Sequence, residues 1–431
     1  MSLGKSKAEG ELHGVGSKSN GAWVRESGTW APPDTAWAYR FSSNSSMASF
    51  FNSINSISTE EDVMNRQQVW KVLGVVLLAC VLASARGITT TFDAPGAGTG
   101  PGQGTLAEGV NLTGTTYGYY IDASGVAHGF LRARNGAFTT FSAPGAGISS
   151  GQGTFAFSLD PWGAITGYYI DASGVMHGYV RSYFGGFTTF DAPGAGTSSG
   201  QGTLALNINL QGTIAGYDFD SNSVAHAYLR ATDGSFTTFD VPGAGTGAGQ
   251  GTGTASGIGL NPEGVLTGAY IDSNNSLHGY VRAPDGTITD IDAPGAGTGP
   301  GQGTDTDGVN LEGTIPGPYV DSNNALHGYV RAPDGTITTF DVPGAGTGAG
   351  QGTLPQGLNL EGAITGSFID ASGVDHGFVR DLRGDITTFD APGAGTSAGQ
   401  GTFPLLNNLE GAITGYDIDA HGVFHGFLRN P

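Results

Sequence analysis

Cysteine occurs once in 431 residues, at position 80, and lysine does not occur at all beyond Lys71. The first absence excludes a disulfide-stapled scaffold, and the second excludes Schiff-base chemistry from everything that follows. Charged residues are scarce at 13%, and beyond residue 85 they are lopsided: 10 arginines face 30 acids, so this region carries the whole net charge of −20. Such a surface repels phosphate backbones and anionic headgroups, which excludes nucleic acid and an acidic membrane as partners. Cations, neutral glycans and a cell-surface ligand remain. No GxSxG elbow, HExxH helix or P-loop is present, and no stretch beyond Arg86 has helical period, which excludes a helical solenoid. What abounds is glycine, 77 residues, punctuating apolar segments in a chain that is still 38% hydrophobic.

A long hydrophobic run occurs once, in "MNRQQVWKVLGVVLLACVLASARG" from Met64. Arg66 and Lys71 form a positive start, Val72 to Leu82 an apolar stretch, and Ala83-Ser84-Ala85 a small-residue cleavage site, the pattern of a secretory signal peptide. Residues 64–85 are therefore expected to be a signal peptide, and residues 1–63 an extension from an upstream start codon or a disordered leader. Residues 86–431 would be secreted, with no membrane span in the mature chain. An uncleaved anchor competes, but about 14 apolar residues fall short of the ~20 that cross a bilayer. A lipobox at "LLAC" would instead make Cys80 a lipidated residue.

Internal repetition dominates the rest. "HGFLR" at His128 recurs as "HGYVR" at His177, "HAYLR" at His226, "HGYVR" at His278 and His327, "HGFVR" at His376 and "HGFLR" at His425, spaced by 49 residues except for one step of 52. Seven units result, the fourth lengthened around Gly253. In the first unit four runs, "TLAEGVNL", "TTYGYYID", "AHGFLRA" and "AFTTFSAP", have a period of two and are separated by turn formers, as strands of an antiparallel meander are. The pattern predicts an all-β, seven-bladed β-propeller of four-stranded antiparallel blades. The last unit ends after its third run, while the orphan "ITTTFDAP" at Ile88 has the sequence of a fourth. The N-terminal strand is thus expected to complete the last blade and close the ring.

That topology gathers the repeated polar residues on the face of the long crossing loops. Asp122, Asp171, Asp220, Asp272, Asp321, Asp370 and Asp419 end the second strands. His128, His177, His226, His278, His327, His376 and His425 open the third. An aspartate near the end of the fourth strand (Asp93, Asp191, Asp240, Asp292, Asp341, Asp390, with Ser142 once) and the glutamine of "GQGT" join them, while arginines and small turns collect on the other face. The set can be an internal hydrogen-bond network repeated in each blade, the simpler reading, or seven equivalent ligand sites. No cofactor is expected. Calcium is the cation that "DASG" and "DSNN" loops could take, but no loop has the DxDxDG spacing with a distal Glu. No metal site is expected, because the histidines are dispersed one per blade rather than clustered as zinc requires.

Deviations from the repeat are the other source of chemistry. The fourth position of the first strand, expected to line a central channel, reads Glu108, Phe157, Leu206, Ile258, Asp307, Gln356 and Leu405, with Asp305 two residues before Asp307. Glu108, Asp305 and Asp307 are the candidate catalytic residues, since paired carboxylates are what glycoside hydrolysis uses; the competing view is plain channel lining. Trp162, alone among tryptophans after residue 85, is expected to cap a blade rather than stack on a sugar.

The units, with "GYYIDASGVAHGFLR" followed by "GAFTTF", resemble the HAF-type extracellular repeat proteins of bacteria over about residues 88–430. His226-Ala227-Tyr228 comes nearest to the name motif. The resemblance implies secretion and β-propeller-like repeats, and no catalytic residues. Three functions follow as expectations: a secreted non-enzymatic propeller binding carbohydrate or another surface ligand through its Asp/His/loop face; an extracellular polysaccharide-active hydrolase or lyase; and a structural or self-associating envelope protein.

Overall fold

The computed structural model describes residues 87–253 and 257–431, which form strands and turns without a helix. The expectations for residues 1–63 and 64–85, Cys80 included, lie outside the described residues, as do residues 254–256 beside Gly253.

In the first unit Gly104–Val110, Thr116–Ile121, Ala127–Arg132 and Phe138–Phe141 pair in succession, each antiparallel to the one before. These positions are called a, b, c and d. The b–c turn is set by Asp122, whose Oδ1 accepts the backbone N–H of Ser124 at 2.8 Å and of Val126 at 3.0 Å. The turn also needs one left-handed residue. It is Gly125 here, but Ser223, Asn275 and Asn324 take φ of 61°, 63° and 63° at the same place in the third, fourth and fifth units.

The succession recurs in every unit, with a split into Gly251–Thr252 and Gly259–Leu260 in the fourth and reduced to Gly303–Thr304 in the fifth. The final unit takes its d strand from the other end of the chain. Ile88–Phe92 pairs antiparallel with Phe424–Asn430, Ile88 opposite Asn430 and Phe92 opposite Gly426. Neighbouring units are stitched by a parallel bridge from the start of c to the first glycine of the next a, as in Ala127 to Gly153; Phe424 to Gly104 is the same bridge from last unit to first. Only glycine suits that place: Gly104 has φ of 122°, and a Cβ would run into the carbonyl of Phe424. The described residues form a closed, propeller-like all-β ring.

Two devices hold adjacent units together. Each unit buries one large c-strand ring (Phe130, Tyr179, Tyr228, Tyr280, Tyr329, Phe378, Phe427). In six units the arginine two residues on lies over the d-strand phenylalanine of the preceding unit, Arg132 at 4.5 Å from the Phe92 ring centre and Arg429 at 4.8 Å from that of Phe389; before Arg331 the d strand carries Ile291 instead. The motif arginines therefore clamp units rather than decorate a face, because the guanidinium gains more from a desolvated aromatic surface than from water alone. At the a–b turns an asparagine ladder crosses the units: Asn209 Nδ2 donates to Asn261 O at 3.2 Å, and Asn408 Nδ2 to Asn111 O at 3.0 Å, again last to first. Asp160 fills the asparagine position in the second unit and has no amide to donate. There Trp162 Nε1 supplies the bond, to Leu210 O at 3.4 Å, while its ring stays 75% exposed.

Candidate functional site

The crossing-loop face brings the repeated Asp, His and Gln together. The imidazole Nδ1–H donates to the d-strand carboxylate at 2.8–2.9 Å, as in His177 to Asp191 and His425 to Asp93, and His128 meets the Ser142 hydroxyl at 2.9 Å instead. Nε2 faces the b-strand carboxylate at distances from 3.3 Å for His128 and Asp122 to 3.9 Å for His226 and Asp220. Gln103 ties the crossing loop to the b–c turn: its Oε1 accepts the Gly100 N–H at 2.9 Å and its Nε2 donates to Ala123 O at 3.2 Å. In the b-strand aspartates burial opposes ionisation, yet the backbone donors and an imidazole, that of the repeated histidine for Asp122, Asp171, Asp272 and Asp321 and that of His421 for Asp419, outweigh it and hold all five below the ordinary carboxylate range. In Asp220 and Asp370 the backbone hydrogen bond is the largest cause, with the same direction. Among the described residues no three His, Cys, Asp or Glu side chains converge as metal ligands.

An aromatic ring at the fifth position of b stacks on the histidine in five units, as in Tyr120 on His128 at 5.1 Å and Tyr319 on His327 at 4.9 Å. The third and seventh units have Asp218 and Asp417 there. Sequence reasoning passed over this pair and over Asp375, which opens strand c of the sixth unit; burial pushes Asp375 up to about 7 against the pull of its hydrogen bond to Ser367. A column-by-column comparison of the b strands carries the signal for the first two.

The Glu108-type residues, fourth in the run that begins at Thr105 and fifth in strand a as the structure bounds it, line one central cavity of about 740 Å³, from Glu108 through Phe157, Leu206, Ile258, Asp307 and Gln356 to Leu405. The reason is local. In the first unit the a–b register slips between Ala107 and Gly109, so Glu108 is the extra residue of a β-bulge and turns out of the ladder; Phe157, Leu206, Gln356 and Leu405 do the same. Asp305 also lines the cavity. Burial pushes Glu108 up to about 8, and burial with the neighbouring Asp305 charge pushes Asp307 well above the ordinary range. These are protonation states suited to proton donors. On the a–b and c–d turn side Trp162, Tyr183 and Phe184 are exposed in the second unit; the last two come from its "SYFGG" turn, where no other unit carries an aromatic residue.

Among solved structures the chain is similar to the BP39L lectin from Burkholderia pseudomallei, with a TM-score of 0.51 and 12% identity over 75% of this chain and 98% of the lectin. The likeness is one of fold. It agrees with the all-β ring. Puromycin hydrolase (TM-score 0.43, 12% identity, 78% of this chain and 50% of the hydrolase) and a mutant of Aleuria aurantia lectin in complex with Fucalpha1-6GlcNAc (TM-score 0.39, 13% identity, 72% of this chain and all of the lectin's 100%) are also similar. No protein-family model and no curated protein matches the sequence.

Proposed function

We propose that the protein is a secreted, non-enzymatic, seven-bladed β-propeller of four-stranded blades, of the HAF-type extracellular repeats, that binds extracellular carbohydrate or another surface ligand through its Asp/His/loop face. The observation that carries this reading is a ring of half-open acceptors. Asp93, Asp191, Asp240, Asp292, Asp341 and Asp390 each give one oxygen to a histidine while their side chains stay 55–57% exposed. Carboxylates fixed on one side and open on the other suit ligands rich in hydroxyl donors, and a neutral ligand avoids the repulsion that an anion meets here. Repetition around a ring favours repetitive polymers, since linked weak contacts gain by effective concentration. That a lectin is among the similar folds fits this assignment.

A glycan array probed in chelator and in calcium tests it. Retention of a defined glycan class, weakened by Asp→Ala at several d-strand positions, is the expected result; no retention in either condition would sink the reading. The cavity carboxyls support a second reading, a polysaccharide-active hydrolase or lyase. Combining Glu108→Gln, Asp305→Asn and Asp307→Asn must then abolish polysaccharide turnover, and unchanged turnover removes those residues as candidates. The exposed Trp162, Tyr183 and Phe184 patch keeps a self-associating envelope protein as a third, to be tested by molar mass in solution.

A further inference from the structure

We propose that the third and seventh units each hold a pocket for a protonated amine, carried by an amino sugar where the ligand is a glycan. This deepens, and rests on, the assignment of the Asp/His face as the ligand-binding face.

The starting observation is a missing ring. In the first unit Tyr120 stacks on His128 and its hydroxyl reaches the "PGAG" turn, where a Cβ on Gly96 would meet it at 3.3 Å. Tyr169, Tyr270, Tyr319 and Phe368 approach the equivalent glycines in the same way. Asp218 and Asp417 occupy the identical register, opposite His226 and His425, so they leave the strand on the same side as those rings. They are too short to reach. Beside Gly194 and Gly393 a Cβ would find nothing within 4 Å. In the third unit that space belongs to a pocket of about 350 Å³ whose walls include Gly194, Asp220, His226 and Asp240, while Asp218, paired opposite His226, is buried outside that lining; the volume is near the lower end of the roughly 300–1,000 Å³ of small-ligand clefts.

A gap alone would be a packing defect, but the residue that makes it is a carboxylate. Asp218 is 1% exposed and Asp417 0%, and neither oxygen of either side chain has a hydrogen-bond partner. Ionised groups are not left so without a counterpart unless something supplies one. Burial pushes Asp218 up to about 6 and Asp417 up to about 7, partly relieved by His226 and His425. Both also feel the charges of further acids, Asp218 those of Asp220 and Asp240, Asp417 those of Asp93 and Asp419, with one imidazole to offset them at each place. Five other units show that the repeat does not require this arrangement.

The missing component is a positive charge with its own N–H donors. A bare metal ion fits poorly, since no three ligating side chains converge among the described residues. An ammonium brings three donors and one charge. On an amino sugar its hydroxyls would meet the half-exposed Asp240 at the rim.

Calorimetric titration of the full chain with glucosamine, glucose and ethanolamine tests the proposal. We expect two glucosamine sites per chain, with glucose about tenfold weaker or worse because the charge-assisted bonds are lost. Asp218→Tyr should leave one site, and adding Asp417→Tyr none. These substitutions install the residue that four sister units carry, and a melt verifies that the ring is intact. Asp218→Asn with Asp417→Asn keeps the gaps but should erase the preference for amine over glucose. Amine binding indifferent to all four substitutions, or no binding of glucosamine and ethanolamine at millimolar concentration, overturns the proposal. Ethanolamine binding alongside a blank glycan array would keep the pockets and discard the carbohydrate reading. Neutral-glycan binding that survives every substitution, without amine binding, would do the reverse.

Discussion

Asp93 Oδ1 accepts a 2.9 Å hydrogen bond from His425 Nδ1 across 332 residues of chain. The same bond is local in five other units, where His and Asp are 14 residues apart. Its long-range copy means that the first strand enters the last unit in full register, backbone, side chains and loop face alike.

Removing residues 86–95 should therefore open the ring. The deletion strips the ladder from Phe424–Asn430 and removes Phe92, which packs on Phe130 and Phe138 and lies under Arg132. Losing Phe92 alone, as Phe92→Ala, should cost about 2–3 kcal/mol, below the value for a fully buried ring. Thermal melting should show a large fall for the deletion and a smaller one for the substitution. An unchanged melt for the deletion would mean that closure contributes nothing.

Much of this was legible because the repeat is an internal alignment. The 49-residue spacing of "HGFLR" fixes the unit, and the orphan "ITTTF" can only belong to the unit that lacks it. The Glu108 position of strand a was readable as cavity lining for the same reason. What could not be read is conformation that depends on a neighbour. Glu108 looks like an ordinary strand residue until the register slip at Ala107 and Gly109 turns it inward. Trp162 makes its bond only because Asp160 has replaced the ladder asparagine, and Arg132 looks like a solvent-facing charge until Phe92 arrives from the far end of the chain.

The closing pair has a pH signature. Burial alone disfavours the charged His425 imidazole, but the hydrogen bond and charge of Asp93, with the charges of Asp417 and Asp419, raise its pKa above 6.5. The folded state thus binds the proton more tightly than the unfolded chain. The resulting stability is fully present below about pH 6.5 and is lost as pH rises through the folded pKa. Chemical denaturation between pH 6 and pH 8 should show this loss, and NMR titration should place the His425 midpoint above that of an exposed imidazole. Asp93→Asn should lower the midpoint and flatten the pH dependence; a midpoint that does not move would assign the shift elsewhere.

Acid acts on the turns instead. The seven b-strand aspartates, Asp122 to Asp419, have lowered pKa values, so their contribution is present above about pH 3.9 and is lost as pH falls through their folded pKa. Asp171→Asn should weaken the b–c turn and move the acid transition to higher pH, as followed by far-ultraviolet circular dichroism.

Ser223 offers a test in the opposite direction. Its φ of 61° occupies the place that Gly125 takes in the first unit, and a side chain in the left-handed region costs about 1 kcal/mol relative to glycine. Ser223→Gly should recover most of that, less the added freedom of the unfolded chain. Its hydroxyl also accepts from Gln201 Nε2 at 3.3 Å, a partly buried contact whose loss takes back some of the gain. A net stabilisation of about 0.5 kcal/mol is expected from denaturant melts. A net loss would show that the Gln201 contact outweighs the backbone strain, and would make the loop-to-turn bonds, rather than turn conformation, the stronger constraint on this face.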